Sequence, residues 1–590
     1  MSKEQKIDEI RHSLSHILAM AVLKKFPDAK LGIGPTIENG FYYDFLLPDK
    51  LSDSDLPAIE KEMKRMIKRN IAFEKKITSR DEALKKAKKD KQDFKVELIN
   101  DLPKDEEISF YESDTFSDLC AGPHVKNSGA IKNDAFKITH LAGAYWRGDE
   151  KNQMLTRIYG VAFETKKELD EYLEMVEEAK KRDHRKLGKE LDLFVFSDVV
   201  GKGLPLWTAK GSTIRRELET FIVDEEIKRD YQHVYTPDIA KIDLYKKSGH
   251  YPYYKDSMYA PIKIDKEEFM LRPMSCPHHY ELYLSKPKSY RDLPMRIAEL
   301  AKLYRYEQSG ELNGLIRVRS FCLADAHIIC ADVKQAKQEV GGALDLIEYI
   351  AQTFGLEFGK NFTYRLSLGD RKDDKKYYKN DKAWDQAEDI LRQTLKEMKR
   401  DFVEAPDEAS FYGPKIDVQM KNVLGKEDTA FTVQYDFVMP ERFNLVYTDK
   451  KGKEKKAIVI HRSSVGALER VIAFLIEHFA GAFPLWLSPI HVKIITVGEG
   501  HIEFSKKMAK EFQSEGIRVE IDHSDETVGN KIRKSSQEKM PYTLVIGDKE
   551  MNSDDLAVRV RGKKDLLNID KQKFISKIKT DIKNRELELL

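Results

Sequence analysis

The sequence predicts an α+β protein that is built from several domains. Its 590 residues exceed the usual size of one domain, about 100–200 residues. The pattern of strands and helices also changes along the chain, which divides it into segments of different architecture. We therefore expect an N-terminal α+β domain at 1–165, a linker helix at 166–190, a central domain with an antiparallel sheet at 191–487 and a C-terminal α/β domain at 488–590.

The N-terminal segment combines helices with short strands. Apolar residues recur at helical spacing from Ile10 to Phe26, and Pro27 ends the pattern. The following LGIGPTIENGFYYDF is typical of short strands joined by turns. Residues 61–98 predict a second helical stretch with 14 Lys or Arg against 7 Asp or Glu, which is either a solvated face or an RNA contact. Residues 166–186, in which acidic and basic residues alternate, predict the linker helix.

The two remaining segments differ in how strands and helices follow one another. The central segment contains strand-like runs such as FTVQYDFVM and KAIVIH beside helical runs such as TIRRELETFIVDEEIKRD, which favours a largely antiparallel sheet with flanking helices. After FPLWLSPIH, the strands HVKIITVG, IRVEID, YTLVIG and LAVRVR alternate with helices. This alternation predicts a small α/β domain with a mixed sheet.

Composition excludes several classes of protein. With 41% hydrophobic and 34% charged residues, the chain has the profile of a globular protein and not of a disordered one. The net charge of +2 means that a polyanion would have to be bound by local basic patches. Four cysteines are too few for a disulfide scaffold, and no apolar stretch suits a signal peptide or a membrane span. We expect a cytoplasmic protein with no membrane partner.

Two groups of His and Cys residues indicate sites for chemistry. His12 and His16 are four residues apart and share one helix face, and Cys120 and His124 flank a Gly-Pro turn just after Asp118. These four side chains suit either a zinc site or a pocket that positions a water for hydrolysis, and their spacing does not decide between the two.

The second group lies in the central segment. Cys276, His327 and His461 stand in LRPMSCPHH, LADAHIIC and AIVIHRSS. One thiol and two imidazoles are three metal ligands that leave one tetrahedral position open, which is the arrangement of a catalytic or substrate-binding zinc site.

Arginines in the central segment indicate a nucleotide site. Arg305 and Glu307 precede a polar turn, and Arg317 and Phe321 follow it. In this arrangement the arginines suit phosphate, the Glu307 carboxylate suits the exocyclic amine of a base, and the Phe321 ring can stack on the base. A further Arg470 follows Gly466 at the start of an apolar helix. Neither GxxxxGK[ST] nor GxGxxG occurs, so the sequence does not support a P-loop or a Rossmann nucleotide site.

These segments resemble a known family. Pro237 in VYTPDIA, Arg305–Phe321 and Gly466–Arg470 are similar to the three signature motifs of class II aminoacyl-tRNA synthetases. The Cys276, His327 and His461 set, with FYGPKIDV and TVQYDF in between, resembles the threonyl-tRNA synthetases. HSLSH, SDLCAGPH and AGAYWRGDEKNQMLTRIYG resemble the editing domain of that family, and the C-terminal segment resembles its anticodon-binding domain. The resemblance covers nearly the whole chain.

The resemblance implies an ATP-dependent ligase that joins L-threonine to tRNA(Thr) through a threonyl-adenylate, with Mg²⁺ accompanying ATP. Zinc on Cys276, His327 and His461 would bind the amino and hydroxyl groups of threonine and so reject valine, which lacks that oxygen. Serine keeps the hydroxyl and differs by a contact worth only about 1–3 kcal/mol, so hydrolytic editing of Ser-tRNA(Thr) is needed as well.

The resemblance also implies residue roles. In the central domain, Asp325 and Tyr412 would hold the substrate ammonium, Arg305 the α-phosphate and Arg470 the γ-phosphate, and Glu307, Arg317, Phe321, Lys415 and Gln434 would complete the ATP and adenylate shell. In the N-terminal domain, His12, His16, Cys120 and His124, with Asp118 and Tyr43, would position a water without a metal. In the C-terminal domain, Glu550 and Arg559 would read the anticodon, and the motif around Pro237 would pair two subunits in a homodimer.

Three departures from the family pattern stand out. HSLSH begins at residue 12, so the family's small N-terminal ubiquitin-like domain is absent or truncated. In the segment FCLADAH this chain has Leu323 and Ala324, whereas the family commonly has Gln there. Ala467 stands at a position of the third motif where the family often has Ser. Two rival interpretations are an RNA-binding regulator without aminoacylation activity and a hydrolase that clears mischarged tRNA. Retention of both motif arginines and all three zinc ligands argues against the first, and the large central domain argues against the second.

Overall fold

The computed structural model describes residues 3–590 and divides after Glu177 into two compact units. The predicted domain boundaries at 165, 190 and 487 stay predictions. Within the described residues, every helix is too short or too polar to cross a membrane.

The N-terminal unit is an α+β fold with two antiparallel sheets. Its helices are α1 (Lys3–Lys25), α2 (Leu56–Lys68), α3 (Arg80–Lys89), α4 (Asp93–Asp101) and most of α5 (Lys166–Arg182). Its strands are β1 (Lys30–Leu31), β2 (Thr36–Ile37), β3 (Gly40–Leu46), β4 (Glu74–Thr78), β5 (Ile108–Ser113), β6 (Phe116–Leu119), β7 (Phe136–Tyr145) and β8 (Met154–Ala162). One sheet has the order β1-β3-β8-β7 with β2 on β3, and the other has the order β4-β5-β6. Alternate residues of β3 are buried in one core with the apolar face of α1, which confirms the first predicted helix and the strands after it.

The charged stretch at 61–98 is not one helical stretch, as the sequence pattern had suggested. Strand β4 interrupts it, with α2 before the strand and α3 and α4 after it. The cause is local, because Ser79 and Glu82 form a capping box that starts α3 afresh after FEKKIT.

The predicted linker helix is two helices, α5 and α6 (His184–Glu190). Asp183 separates them, because its side chain accepts a hydrogen bond of 2.8 Å from the backbone N–H of Arg185 and so caps α6.

The second unit contains a large sheet flanked by helices. After α6, its helices up to residue 487 are α7 (Ala209–Ile227), α8 (Ile242–Ser248), α9 (His250–Tyr253), α10 (Cys276–Leu284), α11 (Val333–Thr353), α12 (Asp381–Glu397), α13 (Met439–Phe443) and α14 (Leu468–His478). The strands are β9 (Phe194–Val195), β10 (Leu206–Trp207), β11 (Gln232–His233), β12 (Ile239–Lys241), β13 (Ile262–Ile264), β14 (Glu267–Leu271), β15 (Met295–Tyr304), β16 (Ser320–Cys330), β17 (Phe362–Ser367), β18 (Phe402–Ala405), β19 (Lys415–Lys421), β20 (Glu427–Asp436), β21 (Val446–Thr448), β22 (Glu454–Lys456) and β23 (Ile458–Ala467).

Eight of these strands form one sheet in the order β11-β15-β16-β23-β20-β19-β17-β18. The six strands from β15 to β17 are antiparallel throughout, and the two edge strands add parallel pairs. The apolar faces of α7, α11 and α14 pack on one side of this sheet in the largest core of the chain. The predicted antiparallel sheet with flanking helices is confirmed.

The rest of the unit is a small α/β domain. It contains β24 (Val492–Thr496), α15 (Ile502–Ser514), β25 (Val519–Asp522), α16 (Val528–Gln537), β26 (Tyr542–Ile546), α17 (Asp548–Met551), β27 (Asp555–Val560), β28 (Leu566–Asp570) and α18 (Lys571–Asn584). The sheet order is β25-β24-β26-β27-β28, parallel over the first three strands and antiparallel over the last pairs. The predicted mixed sheet is confirmed.

Candidate functional site

The register of the large sheet places predicted site residues in one row. His327 on β16 pairs with His461 on β23, His461 pairs with Gln434 on β20, and Gln434 pairs with Lys415 on β19. Residues that are directly opposite on neighbouring strands share one face of a sheet. Four side chains from distant parts of the sequence therefore stand side by side on the face opposite the helices' core.

A cavity of about 490 Å³ opens over this row. Most residues that the sequence singled out in the central domain line it: Cys276, Arg305, Glu307, Arg317, Phe321, Asp325, His327, Tyr412, Gln434, His461 and Arg470. Lys415 is not among its lining residues, and its ammonium group instead pairs with the buried carboxylate of Asp417 at 2.6 Å. Leu323, the departure from the family pattern, also faces the cavity.

One end of the cavity is cationic. The guanidinium of Arg305 lies 5.1 Å from the centre of the Phe321 ring, and Arg317 donates to Glu307 over 3.0 Å. Arg470 donates to the backbone carbonyls of Ile316 at 3.2 Å and Thr429 at 2.8 Å. Burial lowers the pKa of Arg305 and of Arg470 from the usual value, and for Arg470 the nearby charge of Arg305 adds to the effect. Two desolvated cations in one cavity favour a polyanionic ligand such as a triphosphate.

The other end of the cavity contains one carboxyl group and several neutral polar groups. Ser275 donates a hydrogen bond to the carboxylate of Asp325, and burial raises the pKa of Asp325 above its usual value. The hydroxyl of Tyr412 donates to Oε1 of Gln434 over 2.5 Å, and the Tyr412 ring is stacked on His461 at 5.0 Å. A carboxylate, a phenol oxygen and an amide oxygen in one place suit a bound ammonium group.

Hydrogen bonds orient the two imidazoles of the predicted zinc set. Nε2–H of His461 donates to Asp436 at 2.7 Å, because a carboxylate accepts, and this leaves Nδ1 as the free lone pair. Nε2–H of His279 donates to Glu299 at 3.2 Å, so a neutral His279 accepts at Nδ1 from His327 over 2.8 Å. His327 then keeps its Nε2 lone pair. Each imidazole is thus anchored through one nitrogen and offers the other, which is the arrangement that carboxylates impose on metal-binding histidines.

The donor set fits zinc in chemical type, with one thiol and two imidazoles on one cavity wall. Among residues 3–590, however, the sets whose ligand atoms all lie within 4.8 Å of one another are His12, His16, Cys120 and His124, and Asp183, His184 and Glu477. Cys276, His327 and His461 are more widely spaced in this structure than either set.

The predicted N-terminal residues also converge. Sγ of Cys120 lies 3.3 Å from Nε2 of His12 and 3.3 Å from Nε2 of His124. Nδ1–H of His12 donates to the carbonyl of Pro123 over 3.1 Å. The hydroxyl of Ser13 donates to the Glu9 carbonyl over 2.8 Å and therefore accepts from Nδ1 of His124 over 3.2 Å. Both imidazoles consequently present unprotonated Nε2 atoms to the thiol.

Burial keeps the imidazoles and the thiol of this N-terminal pocket uncharged near neutral pH. Desolvation lowers the pKa of His12, His16 and His124 and raises the pKa of Cys120 to about 11. Neutral imidazoles and a protonated thiol suit a pocket that accepts a proton from water, and the four atoms equally match the donor set of a tetrahedral metal site.

A buried lysine that the sequence analysis missed completes the pocket. Lys95 on α4 is 5% exposed, and its ammonium lies 2.6 Å from the carboxylate of Asp118 and 3.3 Å from the hydroxyl of Tyr43. Tyr43 also donates to Asp118, which lies 3.8 Å from His16. Lys95 carries no distinguishing signal in a stretch with 14 Lys or Arg, and only its burial identifies it.

The two predicted anticodon residues lie in the C-terminal domain. Glu550 is the third residue of the short helix α17, and its carboxylate accepts from the backbone N–H of Gly547, the residue before the helix, over 3.0 Å. Arg559 is exposed on β27. Contact between either residue and RNA stays a prediction.

Three family models match the chain. The model for the tRNA synthetase class II core domain (G, H, P, S and T) matches residues 259–479, and that for the anticodon binding domain matches residues 491–581. The threonyl and alanyl tRNA synthetase second additional domain matches residues 108–159. The antiparallel sheet and its arginine-lined cavity therefore belong to a class II aminoacyl-tRNA synthetase.

Curated relatives identify the family within that class. The threonine–tRNA ligases of Geobacillus sp. (strain WCH70) and Halalkalibacterium halodurans are each 48% identical over 98% of this chain, and the matches cover 89% and 90% of their lengths. The chain belongs to the threonyl-tRNA synthetase family. The predicted family, fold class and enzyme class, a threonine–tRNA ligase with an editing domain, are confirmed.

Solved structures agree with this assignment. The RNA binding domain of threonyl-tRNA synthetase from Cryptosporidium parvum is 35% identical with a TM-score of 0.64, covering 68% of this chain and 98% of that chain. Prolyl-tRNA synthetase from Cryptosporidium parvum is 15% identical with a TM-score of 0.51, covers 68% of this chain and 75% of that chain, and shares the fold alone.

Proposed function

We propose that the central cavity joins L-threonine to ATP and then to tRNA(Thr), and that the N-terminal pocket hydrolyses Ser-tRNA(Thr). The observation that carries the proposal is the convergence, in one cavity, of two buried arginines, an ammonium-binding end and a Cys/His/His set. A regulator that only binds RNA has no use for these three features together, and no observation favours that alternative.

Adenylate formation needs positioning and charge compensation and no nucleophile from the protein. The threonine carboxylate attacks the α-phosphorus, a new C–O–P linkage forms, and pyrophosphate leaves. Arg305 would bind the α-phosphate and Arg470 the γ-phosphate, with Mg²⁺ on ATP, so that their charge balances that of the transition state. Asp325 and Tyr412 would hold the threonine ammonium, with Gln434 orienting Tyr412.

We further propose that Cys276, His327 and His461 hold one zinc ion. When bound, the ion supplies a coordination position that requires an oxygen on the side chain of the amino acid, which valine lacks. The residues of the chain contribute the orientation of the ligands, since Asp436 fixes the tautomer of His461 and His279 that of His327.

Editing would use the neutral imidazoles of the N-terminal pocket. A water attacks the ester carbon of Ser-tRNA(Thr), and its proton passes to Nε2 of His12 or His124. The bond between that carbon and the tRNA oxygen then breaks, the imidazolium gives its proton to the tRNA oxygen, and free serine and tRNA are released. Lys95 and Tyr43 bind the carboxylate of Asp118 and so fix its position beside His16 in the pocket. This assignment keeps the pocket free of metal.

The remaining proposals concern partners and location. Tyr235 and Ile239, which flank Pro237, are 94% and 46% exposed, and exposed apolar side chains at this first motif support pairing of two subunits there. We propose a cytoplasmic homodimer in which Glu550 and Arg559 contact the anticodon.

Threonine-dependent exchange of pyrophosphate into ATP tests the central proposal. We expect exchange with threonine and weaker exchange with serine. With valine, the exchange rate should be at least about 100-fold lower than with threonine. Deacylation of Ser-tRNA(Thr), measured on the same preparation, tests the editing proposal separately. Absence of exchange with retained binding of tRNA would favour the regulator.

A further inference from the structure

His184, at the start of α6, is buried between two elements of the nucleotide site. Its side chain is 2% exposed, and Nδ1 lies 2.7 Å from Oε1 of Glu477 on α14. The backbone N–H of Leu315, in the loop between β15 and β16, donates to Nε2 over 3.1 Å. Because Nε2 accepts, Nδ1 carries the proton and donates it to Glu477.

This arrangement excludes a metal at the Asp183, His184 and Glu477 set, although the three ligand atoms are close together. Both nitrogens of His184 already have hydrogen-bond partners. Asp183 is engaged as well, since it caps α6 and pairs with Arg185. The set is a hydrogen-bonded support and not a ligand cage.

The support acts on the loop that lines the ATP end of the cavity. Leu315, Ile316 and Arg317 all line that cavity. His184 binds the N–H of Leu315, and Arg470 binds the carbonyl of Ile316 over 3.2 Å. Glu477 and Arg470 are seven residues apart on α14 and therefore on one face of that helix. Two peptide groups of the loop, Gly314–Leu315 and Ile316–Arg317, are thus fixed by one helix, the second directly by Arg470 and the first through His184 by Glu477.

The loop backbone is shaped to receive the imidazole. Gly314 has φ of +49°, and a Cβ at this position would lie 2.1 Å from Nε2 of His184 and 2.8 Å from Cγ of Arg185. Any larger residue would push the ring away from the loop. The close approach of Gly314 and the hydrogen bond to Leu315 are two independent signs that the ring is built to fit this loop.

We propose that His184 is a positioning residue that holds the 313–317 loop in its ATP-binding conformation. It touches no substrate, and it acts by fixing the backbone from which Arg317 extends toward Glu307. This inference rests on the proposed ATP-dependent activation of threonine. Loss of the support is expected to weaken ATP binding selectively, because His184 contacts this loop and α14, whereas Asp325, Tyr412 and Gln434, which would surround the threonine ammonium, line the cavity at other positions.

Three substitutions separate the two hydrogen bonds. His184→Asn keeps a donor for Glu477 near the position of Nδ1 and removes the acceptor for Leu315. His184→Gln places an amide oxygen near the position of Nε2 and so retains that acceptor. We expect the KM for ATP in pyrophosphate exchange to rise about tenfold in His184→Asn and His184→Ala and to change less than about twofold in His184→Gln, with the KM for threonine unchanged.

His491→Ala is the matched control, because His491 is also buried and also accepts from a backbone N–H, that of Arg518 at 3.2 Å, but in the C-terminal domain. It should lower the melting temperature and leave the KM for ATP unchanged. Equal KM values for ATP in His184→Asn, His184→Gln and the wild type would overturn the inference. So would a uniform loss of kcat that follows thermal stability across all His184 variants. Absence of exchange in the wild type would instead overturn the proposed function.

Discussion

The chain contains two Cys/His sets of nearly the same composition in very different electrostatic surroundings. The set of Cys276, His327 and His461 lies beside the buried carboxylates of Asp325 and Asp436. Burial raises the pKa of the Cys276 thiol, and the charges of these two carboxylates add to the effect. The set of His12, His16, Cys120 and His124 lies beside one carboxylate, Asp118, and Lys95 opposes its charge at 2.6 Å. Residue type alone does not distinguish the two sets.

This difference bears on which set suits a divalent cation. Two buried carboxylates without compensation by bound metal are costly, whereas a dication beside them balances their charge. In the N-terminal pocket the charge of Asp118 is already balanced by Lys95, and the imidazoles of His12 and His124 are anchored by a carbonyl and a hydroxyl. The tighter spacing of the N-terminal set is therefore a weaker argument for metal than the charge around the wider central set.

The sharpest test of the comparison is Cys276→Ser. We expect the variant to lose bound zinc and to lose threonine activation by at least about 100-fold, because the thiolate is the anionic ligand of the set. Elemental analysis and pyrophosphate exchange measure the two effects. Cys330→Ser replaces a thiol that is also fully buried, on the same strand as His327, and should keep both properties. Activation at the wild-type rate without zinc would contradict the assignment.

The N-terminal set responds to the double variant His12→Ala with Cys120→Ala. We expect deacylation of Ser-tRNA(Thr) to fall at least about 100-fold, because the variant removes an imidazole that accepts the proton of water. Zinc content and threonine activation should stay at wild-type values, which serves as the internal control. Loss of zinc from this variant would show that the metal belongs to the N-terminal pocket and would reverse the comparison.

The anchoring of the central imidazoles predicts a smaller effect. His279→Ala removes the partner of His327 and should weaken zinc binding by about 10–100-fold, measured by competition with a chelator. His278→Ala is the matched control, because this adjacent imidazole is also buried, yet both of its nitrogens lack a hydrogen-bond partner in the described structure. Equal zinc affinity in the two variants would contradict the proposal that His279 orients His327 for zinc binding.

The sequence was sufficient to predict the fold class and most of the cavity lining, because the family motifs stand in contiguous segments. It could not predict which residues meet across the sheet. His327 and His461 are neighbours through strand register, and nothing local in either segment encodes that pairing. His279, Lys95 and His184 were missed for the same reason, since each acquires its role from burial beside residues that are distant in sequence. The charged stretch at 61–98 was misassigned because its helical charge pattern hid the strand β4.

The pH dependence of editing gives the smallest expected change and the finest test of the N-terminal pocket. Burial lowers the pKa of His12 and His124 below the usual value near 6.5, so the neutral, proton-accepting form persists as the pH falls. The deacylation rate of Ser-tRNA(Thr) should therefore stay constant from about pH 8 through pH 6.5, where an ordinary imidazole would have lost about half of its activity. Spontaneous hydrolysis, measured at each pH without protein, is subtracted as the control. A midpoint at or above about 6.5 would mean that the base is an exposed group outside this buried pocket.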